Sequence, residues 1–160
     1  MSDTSQAVTQ QELESWLWGA ADILRGPVEP ANFRDFIFPM LFLKRLSDTW
    51  DEEHAKAVAA WGDDLTDEIA FDYHKFDIPE GCHWEDLRRA AENQGVLIQE
   101  VTQRIEQANP ERLAGIFGNA SWADPHRMPP ERLGRLVDHF NRGDISPTTV
   151  PNDMLGAGYE

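Results

Sequence analysis

Cys82 and His83 are adjacent and His74 lies a short way upstream, and these side chains carry the donor chemistry for a soft metal ion. No second cysteine and no closely spaced histidine pair completes a tetrahedral set, so solvated or capping histidines are the expectation. Other chemistries find less support. The chain contains no Gly-x-Gly-x-x-Gly or Walker sequence to cradle a phosphate, and no Gly-x-Ser-x-Gly nucleophile elbow. With 29 acidic residues against 14 basic ones, carboxylates are the expected surface, and no two of them stand out as an acid–base pair. The six tryptophans, Trp16, Trp18, Trp50, Trp61, Trp84 and Trp122, are scattered and not interleaved with arginine. They read as core or partner-facing anchors rather than base-stacking platforms. What remains is Lys44-Arg45 with Asp48 one turn on. On a helix these make at least a surface charge cluster, worth a few tenths of a kcal/mol. The sharper expectation is a polar network at the edge of the core with Asp22 and Arg25, which end the first predicted helix.

The element that must position those charges is the run before them. Residues 36–43 are eight uncharged residues that end abruptly at Lys44-Arg45-Leu46-Ser47-Asp48. A membrane span needs about 20 apolar residues. The run is therefore expected to be buried on nearly every side in a soluble protein, with the charges at the core's edge.

Composition agrees. A chain of 160 residues with 41% hydrophobic content suffices for one domain with a real core. The formal net charge of -15 favours solubility and opposes stand-alone binding of nucleic acid. The single cysteine excludes an intrachain disulfide, and residues 1–6 show no targeting pattern, which makes the cytoplasm the expected location and a membrane no expected partner.

Thr9 with Glu12 forms a capping-box pattern ahead of Leu13, Trp16, Leu17, Ala20 and Leu24 at helical spacing, which predicts a helix over 10–25 stopped by Gly26-Pro27. A second helix is expected from Pro30 to Gly62, kinked at Pro39. Phe71, Tyr73 and residues 76–78 suggest a short strand. Further helices are expected over 84–91, broken at 93–95, then through Leu97, Ile98, Val101 and Ile105 to Asn109-Pro110. A short one follows over 110–117, and a well-patterned one from Pro130 carries Leu133, Leu136, Val137 and Phe140 on one face. The expected fold is mainly α: a helical bundle with a kinked central helix and at most a short strand pair. The expected organisation is a disordered tail at 1–8, a helical domain at 9–143, and at 144–160 a linker and the start of a further helix.

Two segments go further. Trp18-Gly19-Ala20-Ala21-Asp22-Ile23-Leu24-Arg25-Gly26, followed by Pro39-Met40-Leu41-Phe42-Leu43-Lys44-Arg45-Leu46-Ser47-Asp48, resembles the N-terminal helical domain of the modification (M) subunit of type I restriction–modification systems. Phe33 stands at the family's aromatic position. Ile78-Pro79 with Trp84, Ile105-Glu106 with Asn109-Pro110, and Leu155-Gly156 with Tyr159-Glu160 match weaker landmarks. The resemblance implies a subunit whose intact chain transfers a methyl group from S-adenosylmethionine to adenine N6 in DNA. The Gly-containing cofactor loop and the Asn/Asp-Pro-Pro-aromatic motif of such enzymes are not in these residues; Asn109-Pro110-Glu111-Arg112 and Met128-Pro129-Pro130-Glu131 do not fit. The expectation is an N-terminal domain without catalytic, cofactor-binding or metal-binding residues of its own.

By resemblance the implied role is assembly: two M subunits with one specificity (S) subunit, a restriction (R) subunit in the full system, and DNA only in the assembled complex. Lys44 and Arg45 are then candidates for phosphate or partner contacts, alongside a structural role within the domain. The alternative from a different class is a stand-alone acidic helical adaptor.

Overall fold

A computed structural model describes residues 9–90, 92–113, 115–118, 120–143 and 145–146. The expected tail at 1–8 and, apart from Ile145 and Ser146, the expected linker and helix at 144–160 lie outside the described residues.

The described chain is helical: α1 (Gln10–Leu24), α2 (Phe33–Trp61), α3 (Asp67–Asp72), α4 (Trp84–Arg89), α5 (Gln94–Ala108) and α6 (Pro130–Asn141). At α1 the Thr9 hydroxyl accepts from the Glu12 amide at 3.0 Å, and the Glu12 carboxylate accepts from the Thr9 amide at 2.9 Å. Two amides that a helix start leaves without intrahelical partners are thereby satisfied. A 3-10 turn at Pro30–Asn32 leads into α2, which continues through the buried Pro39.

Three expectations are corrected. Among the described residues there is no strand, only an isolated bridge between Arg25 and Val28. The apolar residues read as a strand instead follow Thr66, whose hydroxyl accepts from the Ile69 amide at 3.2 Å and starts α3, so Phe71 is helical. Gly95 is not a break. It lies in the first turn of α5, and the break is Asn93 in the left-handed region at φ 59. Residues 110–113 and 115–118 form turns rather than a helix.

α6 packs on α1, α2, α4 and α5, and α2 packs on α1, α3 and α4. Leu133, Leu136, Val137 and Phe140, spaced i, i+3, i+4, i+7, are all buried, as are Leu13, Ala20 and Leu24 of α1 and Ile98, Val101 and Ile105 of α5. Each large side chain so buried stabilises by about 1.5–3 kcal/mol. In α2 burial covers Phe36, Ile37 and residues 39–41 and 43–47, so the core reaches past the apolar run and takes in Lys44 and Arg45.

Candidate functional site

Four helices meet where the chain leaves α6. On the α1 side, Trp16 stacks on His139 with ring centroids 5.7 Å apart and meets Phe140 edge-on at 4.9 Å. Its indole N–H donates to the His139 carbonyl at 3.2 Å, and His139 Nε2 lies 2.7 Å from the Trp16 carbonyl oxygen, as the donor. The seam closes because two positions have no side chain. A Cβ on Gly19 would stand 2.8 Å from the His139 ring, and one on Gly143 would stand 2.6 Å from the Trp16 ring.

From the other side, α2 grips the same exit. Lys44 Nζ donates to both carboxylate oxygens of Asp48, at 2.8 and 2.6 Å, and to the Gly143 carbonyl at 2.7 Å. Asp48 in turn accepts from the Ile145 amide at 2.9 Å, and Arg45 Nη1 donates to the Ile145 carbonyl at 2.7 Å. Ser47 Oγ accepts from the Trp84 amide at 2.8 Å, satisfying a free donor in the first turn of α4. Trp84 completes the link: its indole N–H donates to Asn141 at 3.0 Å, and Lys44 lies over its ring at 5.9 Å. Lys44, Arg45, Ser47 and Asp48 thus each hold a segment distant in sequence. Lys44, Arg45 and Asp48 form a clasp on Gly143 and Ile145, and Ser47 ties in the start of α4.

Of the residues singled out by the sequence, the structure brings Lys44, Arg45 and Asp48 together. Lys44 and Arg45, the candidates for partner or phosphate contact, are only 5% and 9% exposed and bond to backbone carbonyls, Lys44 also to Asp48. Asp22 and Arg25 do not join this network. They pair with each other at 2.8 Å on the surface, with side chains 62% and 64% exposed. Trp18, at i−4 from Asp22, is 67% exposed, so Trp18, Asp22 and Arg25 form one outward stripe along α1. Gly143, Ile145, Asn141 and the Ser47–Trp84 contact were not singled out by sequence, because nothing local marks a partner 37 to 100 residues away.

The histidines have a different setting. His74 stacks on Trp50 at 4.3 Å and bonds to Glu53 through Nδ1 at 3.1 Å; His54 also stacks on Trp50, and His83 meets it edge-on at 4.6 Å. Burial holds the His83 imidazole below its ordinary pKa, with Asp86 and Asp51 pulling the other way. Cys82 is buried, and desolvation raises its thiol pKa. Among the described residues no group of three or more His, Cys, Asp or Glu side chains is arranged to hold a metal ion.

Two clefts lie between Asn32–Phe42 and Gly115–Arg127, and between Glu92–Val96 and Trp122–Leu133. No described helix is long and apolar enough to cross a membrane.

Comparison with known families finds that the model described as the HsdM N-terminal domain matches residues 13–140. Comparison with curated proteins finds no match.

Proposed function

The chain belongs to the HsdM N-terminal domain family, and from that membership we propose that it is the assembly and DNA-clamping domain of the modification subunit of a type I restriction–modification system. In this reading residues 9–143 form the domain, and residues 144–160 lead towards a methyltransferase domain. The intact subunit transfers methyl from S-adenosylmethionine to adenine N6, and none of that chemistry is carried by these residues. The partners are a specificity subunit, a second modification subunit and the restriction subunit. DNA is met only in the assembled complex, where neighbours supply the positive field that a chain of net charge -15 lacks.

The observation that carries the reading is the family match over residues 13–140. A division of labour among the signature residues supports it. Lys44, Arg45, Ser47 and Asp48 face inward and orient the chain as it leaves α6. Trp18, Asp22 and Arg25 face outward and among the described residues form no side-chain bond to another element, which suits contact with the specificity subunit. Sedimentation of the chain mixed with the specificity subunit of its own system tests this directly. Co-sedimentation is expected, and two independent boundaries at micromolar concentrations would contradict the assembly role. Calorimetric titration with S-adenosylmethionine is expected to give no binding heat, and a stoichiometric site would overturn the assignment of the chemistry to another domain.

A further inference from the structure

α2 outruns the core that holds it. Its 29 residues span about 43 Å at 1.5 Å per residue, and Ala57 is its last buried position. Residues 58–64 are all exposed, and α3, which returns against α2, contributes no buried residue. The end of α2, the 3-10 turn Gly62–Asp64 and α3 therefore make a projecting arm.

Two features of this arm are independent of each other. The first is apolar. Among the described residues five large hydrophobic side chains are exposed, and three of them are here: Val58 at 46%, Trp61 at 44% and Phe71 at 63%. Such a concentration marks an interaction surface more than scattered exposure does. The second is charge. Asp63, Asp64, Asp67, Glu68 and Asp72 are exposed, and no lysine or arginine occurs between Lys56 and Lys75. Among the described residues none of these five carboxylates forms an ion pair, whereas Asp22, Asp48, Glu52, Glu85, Asp124 and Glu131 all do. The negative end of the α2 dipole adds to the field, because its last turn carries no basic residue.

We propose that this arm docks a lysine- and arginine-rich segment of another protein, whose cations meet the five carboxylates while its apolar side chains lie against Val58 and Trp61. Complementary charge selects that occupant. DNA is repelled by the carboxylates, and a second copy of this chain carries the same negative arm and a net charge of -15. Trp61 suits the role of anchor, with a broad apolar face that also attracts guanidinium and ammonium groups. The surface follows from the chain's own residues and does not rest on its family.

The test uses a synthetic peptide of alternating arginine and leucine as probe and follows the backbone amides of the chain by NMR. Shifts are expected to centre on residues 58–72 and to shrink with added salt. Neutralising the arm (Asp63→Asn, Asp64→Asn, Asp67→Asn, Glu68→Gln and Asp72→Asn together) is expected to abolish binding. Trp61→Ala is expected to weaken it about tenfold, the size of a hot-spot loss. Neutralising five exposed carboxylates elsewhere (Glu29, Asp35, Glu100, Glu111 and Asp138) removes the same number of negative charges and is expected to leave binding within about twofold. Equal losses from the two sets would overturn the proposal in favour of net charge alone. So would shifts centred elsewhere, an indifferent Trp61→Ala, or competition for the arm by duplex DNA.

Discussion

Lys44 is only 5% exposed, and its burial is tolerable because three acceptor oxygens surround Nζ: two from Asp48 and one from Gly143. A buried pair of this kind contributes little over an apolar substitute, but removing one partner leaves an uncompensated charge and costs about 3–5 kcal/mol. Asp48→Ala is therefore expected to lower stability by that amount in urea unfolding, since it strands both Lys44 and the Ile145 amide. Lys44→Met with Asp48→Leu is expected to cost less than Asp48→Ala alone, which a double-mutant cycle reads directly. Gly143→Ala forces a methyl group into the Trp16 ring and is expected to cost about 1–3 kcal/mol, the range for overpacking. The i, i+4 spacing of Lys44 and Asp48 was legible in the sequence, and so was the capping box of Thr9 and Glu12, because both are local. Their further partners Gly143 and Ile145 were not, since pairing across a hundred residues depends on how α2 and α6 cross.

Helices announced themselves where hydrophobic period and caps agreed. α1, α2, α5 and α6 lie close to their expected bounds, and the apolar stripe of α6 is fully buried. The stretch from Asp67 to Ile78 misled because aromatic residues at near-alternate positions imitate a half-buried strand. The Thr66 cap, with no strand among the described residues to pair with, decides for a short helix and irregular chain. At the start of α4 the elements also set a pH dependence. His83 has its folded-state pKa lowered by burial from the ordinary 6.5, so the unfolded chain binds the proton more readily. Its contribution is present above pH 6.5 and is lost as the pH falls through the lower folded value. Asp86 and Asp51 face it and oppose the shift, and His74 and His54 reinforce it across Trp50. His83→Gln is expected to flatten the fall in urea midpoint on mild acidification; an unchanged slope would assign that fall to other groups.

For the whole molecule the account rests on one division. Signature residues Lys44, Arg45 and Asp48 on α2 hold Gly143 and Ile145, whereas Trp18, Asp22 and Arg25 stay exposed, which in the proposed function suits a partner. The family was legible from two short segments, whereas the inward or outward direction of each residue was not, because Lys44-Arg45 and Asp22-Arg25 look alike in sequence. Only the packing of α6 against α2 buries the first pair and leaves the second exposed. The most direct measurement compares Asp48→Ala with the triple variant Trp18→Ala, Asp22→Asn, Arg25→Gln, reading thermal stability and co-sedimentation with the specificity subunit for each. The account predicts that Asp48→Ala lowers the melting temperature, while the triple variant melts with the parent chain and no longer co-sediments. A triple variant that unfolds early, or one that assembles as the parent does, would contradict it.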